Sequence, residues 1–406
     1  MKIIILSLIG FIYIINLLMK ILHLKNDNIP INNYVGDIYD ENQYKRWSSY
    51  QKDNVKLSII SLIVSFIISI LLFGFNIHSY ILNFISGLTS NLITQAFYVM
   101  LFLFVIGIFD ILFSYIRTFK IEEKYGFNKT NKKLFIKDQI IKFILLIGLG
   151  TPTLYLVMVI FNNFINPIIF LIISSAIIIG FSLILPFLLP LFSRLFNKFT
   201  KLEESDLKDK ILEYVENVNF PVENIYVMDA SKRSTKINAY FSGYGKKRRI
   251  VLYDTLIKDF TDEEVVSVLA HEAGHAKHKD MIRLLPFTVL NIIIMLMMLY
   301  LLASNAIIAQ AFGFTTNNFF FGLFLFMELF GLVNIILNVF MNAFSRKIEY
   351  QADKYSAVTY SGDALISALK KLAKSNFAHL FPHKIIVLIY YSHPTLNQRI
   401  TAIKNL

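Results

Sequence analysis

Seven long apolar runs dominate this chain of 406 residues. They lie at about 3–19, 57–76, 92–115, 143–161, 168–192, 284–303 and 319–343. Each is long enough to cross a hydrocarbon core of roughly 30 Å as a helix. Backbone polar groups in lipid must be satisfied within the segment, and these runs are continuous instead of alternating, so they predict helices and not barrel strands. The sequence therefore predicts a predominantly α, polytopic membrane protein with seven transmembrane helices.

The formal net charge of +12 is concentrated in the segments between these runs. Segments 20–56 and 116–142 are rich in Lys and Arg, whereas 77–91, 162–167 and 304–318 contain neither. Basic segments stay in the cytoplasm, so the alternation predicts an N-terminus outside and a C-terminus inside. The orientation of the chain in the lipid bilayer thus accounts for the positive charge. We therefore expect the bilayer, and no nucleic acid, as a partner. The first apolar run is followed by no small-residue cleavage site, so it is predicted to be an uncleaved span.

The apolar runs divide the chain into four predicted parts. Residues 1–193 hold the first five spans with cytosolic loops at 20–56 and 116–142, 194–283 form a cytosolic catalytic insert, 284–343 hold the last two spans, and 344–406 form a cytosolic C-terminal part. The insert is predicted to be α+β. It contains an amphipathic helix pattern at 202–218, a short strand in "NIYVMDAS", and two β-rich runs around Gly243-Tyr244-Gly245 that predict a hairpin.

The stretch "TDEEVVSVLAHEAGH" predicts a helix that carries chemistry. Thr261 and Glu264 have the spacing of a capping box at a helix N-terminus. His271 and His275 are four residues apart and so face the same way, where both imidazoles can reach one metal ion, with Glu272 beside them as a base. The alternative interpretation is two surface histidines on a charged helix turn. The chain has no Cys, so nitrogen and oxygen must supply every ligand of a metal.

A catalytic zinc needs three protein ligands, so the motif requires a third ligand from elsewhere. His278 follows His275 by only three residues and is predicted to be a surface or supporting residue. The polar helix pattern after the last span places Glu349 and Asp353 on one face, where Glu349 can bind a metal and Asp353 can accept the free N–H of a ligand histidine. The alternative is a solvated acidic face paired with neighbouring basic residues.

The C-terminal stretch "YYSHPTLNQRITAI" contains His393 and Arg399. Near a metal, the two side chains could bind a peptide carbonyl or a developing oxyanion. The alternative is an ordinary capped surface helix that begins near Pro394.

The ordered set of motifs resembles the CAAX prenyl protease 1 family, integral-membrane zinc metallopeptidases of the a-factor-converting type. The set comprises "FSYIRTFKIEEKYGFNKTNKKLFIKD", "LPLFSRLFNKFTKLEESDL", "YVMDASKRSTKINAYFSGYGKKRRIVLYDTL", "HEAGH", "SRKIEYQAD" and "SHPTLNQRI". The resemblance implies one Zn²⁺ bound by His271, His275 and Glu349, with Glu272 as general base and acid, and Asp353 orienting a ligand. It also implies substrate or intermediate contacts from His393 and Arg399, and strand pairing with substrate at Asn238, Ala239 and Tyr240.

The resemblance also implies a zincin-like catalytic domain and a ring of seven helices around a water-filled chamber. Asp110 and Glu328 are an independent indication of such a chamber, because a carboxylate inside a span is costly unless it faces protein or water. The alternative is a paired or protonated carboxylate at a helix contact. The expected compartment is the plasma membrane in a bacterium or the endoplasmic reticulum in a eukaryote.

The expected activity is a zinc endopeptidase that acts on peptide or protein substrates delivered at the membrane. In the family, the reaction removes the last three residues after a prenylated cysteine. A second hypothesis is a quality-control protease of the heat-shock membrane type, which has fewer spans. A third is a transporter or channel in which the H-E-x-x-H motif is coincidental.

Overall fold

The structure is a computed structural model that describes residues 1–25, 33–163, 166–242 and 248–406, without the side chains of 183–191 and 242. Most of the described chain is helical. The helices are α1 (Lys2–His23), α2 (Glu41–Gly74), α3 (Ile77–Leu88), α4 (Leu92–Ile116), α5 (Lys132–Asn163), α6 (Pro167–Phe196), α7 (Asp206–Asn217), α8 (Asp254–Asp259), α9 (Asp262–Lys277), α10 (Asp280–Ser304), α11 (Ala306–Ala311), α12 (Phe319–Ser356), α13 (Gly362–Ser375), α14 (Lys384–Tyr390) and α15 (Leu396–Lys404). π-helical turns at Arg117–Glu122 and Ala357–Ser361 continue α4 and α12.

Within the described residues, six helices are long and apolar enough to cross a membrane, namely α1, α2, α4, α5, α10 and α12. They confirm six of the predicted spans. The span predicted at 168–192 falls on α6, which is helical over its whole length. Its described side chains give an apolar stretch of Pro167–Ser182 only, which is shorter than a span. The chain is therefore a mostly helical, multi-pass membrane protein with six described spanning helices.

Two segments that the sequence predicts as loops between spans contain helices instead. Segment 77–91 contains α3, and segment 304–318 contains α11. Both bury an apolar face in a core cluster with residues of α1, α2, α10 and α12, for example Leu82 of α3 and Phe312 after α11. These connections between spans are therefore partly helical, because an apolar face too short to span a membrane can still pack against the ends of the spans.

Both carboxylates predicted inside spans face other helices. Asp110 of α4 lines a cavity of about 310 Å³ together with serines of α2 and α4, among them Ser61 and Ser65. Glu328 of α12 lies beside Tyr13 and Ser69, which belong to α1 and α2. Asp110 and Glu328 therefore each lie next to polar side chains of a neighbouring helix.

The insert forms a small mixed sheet covered by helices. Its strands are β1 (Phe199–Lys201), β2 (Asn224–Met228), β3 (Ala239–Ser242) and β4 (Arg249–Tyr253). The described strands lie in the order β1-β2-β4-β3, with β2 and β4 parallel and the outer pairs antiparallel. The antiparallel pairing of β3 and β4 confirms the predicted hairpin, although its turn at 243–245 lies outside the described residues. The predicted helix at 202–218 is confirmed as α7.

One core joins the sheet, α7, α8 and α9 to the C-terminal helix α13. It includes Ile250 and Leu252 from β4, Leu269 from α9 and Ala368 from α13, which are all at most 1% exposed. Helix α9 therefore lies between the sheet and the C-terminal region, and this position brings the histidine motif close to α12.

Candidate metal centre and active site

Helix α9 begins with the predicted capping box. Thr261 Oγ1 accepts the backbone N–H of Glu264 at 3.3 Å, and Glu264 Oε2 accepts the backbone N–H of Thr261 at 2.9 Å. The buried Glu264 carboxylate also accepts hydrogen bonds from Ser367 Oγ at 2.6 Å and Lys371 Nζ at 2.7 Å on α13. These contacts fix the start of α9 against α13, and so fix the rotation of the turn that carries His271.

Helices α9 and α12 approach closely at Gly274, which lies inside the histidine motif. A Cβ atom at this position would lie 3.1 Å from Ala352 Cα and 3.1 Å from Tyr355 Cβ. Two helix turns before Gly274 along α9, Ser356 Oγ donates a hydrogen bond to the carbonyl of Ser267 at 2.7 Å, and this bond is buried. The missing side chain at Gly274 therefore lets α12 bring Glu349 up to the two histidines.

Three ligand atoms converge between α9 and α12. His271 Nε2 lies 3.1 Å from His275 Nε2, His275 Nε2 lies 3.3 Å from Glu349 Oε1, and His271 Nε2 lies 3.5 Å from Glu349 Oε2. Ligand atoms at the usual distances from a tetrahedral metal ion are separated by roughly 3.4 Å. These three residues form a group able to hold a metal ion. His278 lies outside this group, with its ring against Tyr355.

The electrostatics of the three residues fit a cation. The buried Glu349 Oε2 has no hydrogen-bond partner among the described residues, which is expensive for a carboxylate unless a cation is bound. Burial lowers the pKa of the His275 imidazole, but the carboxylates of Glu349 and Asp280 outweigh burial and raise it to about 9. A positive charge, either a proton or a metal ion, is therefore stable between the imidazoles and the carboxylate.

Each histidine is oriented by a carboxylate behind it. His271 Nδ1 lies 3.0 Å from Asp353 Oδ1, and His275 Nδ1 lies 2.9 Å from Asp280 Oδ2. A carboxylate can only accept, so each Nδ1 carries the proton and each Nε2 presents its lone pair to the shared site. The contact of Asp353 agrees with its predicted role. Asp280 was missed, although it ends the stretch "HEAGHAKHKD", because the left-handed Lys279 (φ 56°) that turns the chain back is not evident from the sequence.

Glu272 has no hydrogen bond or ion pair with any described residue. It follows His271 directly on α9, and its side chain is only partly exposed. Burial raises the pKa of its carboxyl above the usual range, with a smaller contribution from the nearby Glu349. A free carboxylate with a raised pKa next to a metal site is suited to accept a proton and to donate it again.

The structure brings His393 and Arg399 to the same site in different ways. His393 Nε2 lies 3.4 Å from Glu349 Oε1, and its side chain is 59% exposed. Arg399 is almost fully buried, and its Nε and Nη2 donate to Asp353 at 2.9 and 2.6 Å. His393 is therefore open to a substrate, whereas Arg399 mainly holds the carboxylate that orients His271.

The three residues predicted to pair with substrate lie at the edge of the sheet. Ala239 and Tyr240 begin β3, which is one of the two edge strands of the described sheet, and Asn238 precedes it. Ala239 pairs with Leu252 of β4 and packs in the same core cluster as Leu269 and Ala273 of α9. One edge of β3 therefore remains free for an extended peptide within the described part of the sheet.

Comparisons with known proteins cover nearly the whole chain. The model described as "CAAX prenyl protease N-terminal, five membrane helices" matches residues 5–198, and that of peptidase family M48 matches residues 201–406. The chain belongs to the CAAX prenyl protease 1 family. This assignment confirms the resemblance seen in the motifs. It makes the chain a metalloprotease of the membrane and sets aside the transporter or channel with a coincidental motif.

Individual members of the CAAX prenyl protease 1 family give the same result. The chain is 31% identical to the CAAX prenyl protease 1 homolog of Dictyostelium discoideum over 90% of this chain and 87% of that protein. It is 32% identical to the probable CAAX prenyl protease 1 of Schizosaccharomyces pombe over 90% of this chain and 80% of that protein. The crystal structure of S. mikatae Ste24p matches with a TM-score of 0.91 and 28% identity, over 99% of this chain and 98% of that chain.

Substitution of Gly274 is expected to impair the site without touching a ligand. In Gly274→Ala the added Cβ must push α9 and α12 apart by a few tenths of an ångström or more. Because misplacing catalytic groups by about 1 Å can cost roughly 100-fold in rate, we expect peptidase activity to fall by about ten- to a hundredfold. The measurement is kcat/KM with metal content on the purified protein. Gly148→Ala is the matched control, since a Cβ there meets no atom within 4 Å; equal activity of the two variants would contradict the close-approach argument.

Proposed function

We propose that this protein is a zinc endopeptidase of the CAAX-processing type, which hydrolyses a peptide bond near the C-terminus of a membrane-attached substrate. The convergence of His271, His275 and Glu349 with the unpaired carboxylate of Glu272 carries this proposal. Two imidazoles and one carboxylate are a typical donor set for a single catalytic zinc with one open position. Zinc, when bound there, supplies a Lewis acid and lowers the pKa of water toward about 7.

In the proposed mechanism, Glu272 takes a proton from the attacking water and then delivers it to the leaving amine. Its raised pKa supports both steps, because the carboxyl can hold the proton between them. His393 is the exposed donor on the open side of Glu349, and we assign it to the oxygen of the scissile carbonyl. Arg399 acts as a positioning residue through Asp353, and with its 11% exposure it adds positive charge near the same oxygen.

We assign the substrate backbone to the free edge of β3. An extended peptide that pairs with Asn238, Ala239 and Tyr240 would be held through its backbone, with little demand on its sequence. The core cluster that Ala239 shares with α9, the helix that carries the two histidines, supports this assignment. Such binding suits a protease that recognises where a substrate is attached more than which side chains it carries.

The proposed topology has seven spanning helices with α6 as the fifth, around a polar chamber. It places the N-terminus outside, and the zincin-like domain and the C-terminus in the cytoplasm. The charge alternation and the polar contacts of Asp110 and Glu328 support it. The membrane would be the plasma membrane in a bacterium and the endoplasmic reticulum in a eukaryote.

Paired peptides test the proposed substrate. The zinc-loaded protein in detergent is given one C-terminal peptide in two forms, with and without a farnesyl group on the cysteine. We expect faster cleavage of the farnesylated form and release of its last three residues, measured by mass spectrometry. Equal cleavage of both forms would remove prenyl recognition while leaving the peptidase intact. It would then favour the broader quality-control activity of a heat-shock-type membrane protease.

A further inference from the structure

A basic cleft lies outside the active site, where the start of α5 meets the insert that contains the sheet. Four lysines line a cavity of about 580 Å³ there: Lys129 before α5, Lys133 and Lys137 on the first turns of α5, and Lys232 from the insert. They come from two distant parts of the chain, so the cluster exists only in the folded protein. None of the described residues that line the cavity is acidic.

The four ammonium groups form no ion pair or hydrogen bond with any described residue. Two acidic residues next to the lining residues have other partners: Asp138 accepts two hydrogen bonds from Arg233, and Asp254 accepts two from Ser231. Four positive charges thus converge without an internal counterion. Their mutual repulsion would be relieved by an anionic ligand.

The cleft is held in place by contacts between its two walls. The backbone N–H of Lys129 and Thr130 Oγ1 both donate to the carbonyl of Arg233, at 3.1 and 3.2 Å. The Arg233 guanidinium donates to both oxygens of Asp138 on α5, at 2.9 and 3.0 Å. Segment 129–130, the start of α5 and the loop with Lys232 are therefore fixed relative to each other, so the cleft needs little reorganisation to bind a ligand.

An apolar face continues directly from the lysines along α5. Ile140 and Ile144 follow Lys133 and Lys137 at helical spacing on the same side of the helix, and their side chains are 54% and 60% exposed. Helix α5 is long and apolar enough to span a membrane, and its apolar run begins at about residue 143, so Ile144 lies at the start of that run, Ile140 just before it and the lysines one to three turns earlier. The surface therefore fits an amphiphile with an anionic head and an apolar tail.

We propose that this lysine cleft binds the headgroup of an acidic phospholipid, with the acyl chains of the lipid against Ile140 and Ile144. A soluble anion would use the lysines but leave the isoleucines unexplained, and an acidic peptide would have no reason to border the hydrocarbon. Clusters of Lys at the end of a transmembrane helix recognise anionic lipids through their phosphate charge. The proposal does not depend on the substrate or the metal chemistry of the active site.

Lipid retention measured on the full-length, zinc-loaded protein tests the cleft. The protein in detergent is incubated with an equimolar mixture of phosphatidylserine and phosphatidylcholine, and bound lipid is counted by native mass spectrometry. We expect preferential retention of phosphatidylserine. Because each lysine at a membrane surface contributes about fivefold to anionic lipid binding, Lys133→Gln/Lys137→Gln should weaken retention by about 25-fold. Unchanged zinc content and peptidase rate would show that the variant is folded.

The matched control is Lys52→Gln/Lys56→Gln, which removes two exposed lysines at the same spacing where another spanning helix, α2, enters its apolar stretch. It should retain phosphatidylserine as the unmodified protein does. Equal loss in both double variants would overturn the proposal in favour of general surface attraction. Displacement of the lipid by glycerophosphoserine or by an acidic peptide at equal concentration would overturn it too, since neither ligand has acyl chains.

Discussion

Glu272→Gln is expected to abolish most peptidase activity while leaving the metal in place. The substitution keeps the size of the side chain but removes the carboxylate that accepts and returns the proton. General base catalysis contributes about 10²- to 10⁴-fold, so we expect kcat/KM to fall by about a thousandfold. Zinc content should stay at that of the unmodified protein, because Glu272 is not among the three donors that converge on the site. The measurements are peptide cleavage and elemental analysis on the same preparation.

The control for this experiment is Glu263→Gln on the same helix. Glu263 is exposed, pairs with Lys210 and lies eight residues before His271 at the start of α9. It should retain full activity. A Glu272→Gln variant that binds zinc and still cleaves at the normal rate would refute the assigned base, and the family membership of the chain would be unaffected by that result.

Glu349→Gln is expected to remove the metal. The neutral amide cannot balance the charge of a cation that also contacts two imidazoles. In the unmodified protein, Glu349 Oε1 lies 3.3 Å from His275 Nε2. An amide N–H₂ group at that position can only donate a hydrogen bond and cannot bind a cation. Loss of a residue that merely orients a ligand costs about 10- to 100-fold in metal affinity, so loss of a ligand should cost at least about 100-fold. We expect zinc content after dialysis against a weak chelator to fall close to zero, with activity falling in parallel.

Two further variants make the test of Glu349 specific. Glu328→Gln changes a carboxylate on the same helix, α12, but 21 residues before Glu349, inside the span and beside Tyr13 and Ser69, so it should keep its zinc. His393→Ala tests whether His393 binds the metal instead of contacting the substrate, since His393 Nε2 lies 3.4 Å from Glu349 Oε1. Loss of zinc in His393→Ala together with retention in Glu349→Gln would assign the third ligand to His393 and contradict our assignment.

The sequence predicts the metal site well because local periodicity determines much of it. The spacing of His271 and His275 and the Thr261 cap depend only on helix geometry, and the structure confirms the helix and its capping box. Glu349 lies 74 positions after His275, and it could be proposed from residue type and family resemblance but not located in space. The approach of Glu349 to the histidines depends on the missing side chain at Gly274, and no periodic sequence pattern reveals that requirement.

The details that the sequence did not predict depend on tertiary packing. Asp280 reaches His275 because the chain reverses at a left-handed residue between α9 and α10. Arg399 is turned towards Asp353 by the packing of α15, and a sequence pattern cannot distinguish this from a contact with substrate. Helices α3 and α11 are short amphipathic segments whose stability comes from the spans around them, so hydropathy alone predicted loops there.

The continuity of α12 sets the height of the reaction above the membrane. The helix is unbroken over Phe319–Ser356, and its apolar run ends near Ala343, six residues before Glu349. At about 1.5 Å per residue, the proposed ligand lies roughly 9 Å along the helix beyond the end of this apolar run. A bond a few residues from a lipid anchor is confined to that same layer, which raises its effective concentration at the zinc site. If the protein has the proposed function, bonds buried in a folded domain further from the bilayer would stay out of reach, and the length of α12 beyond its apolar run would select substrates by their distance from the membrane.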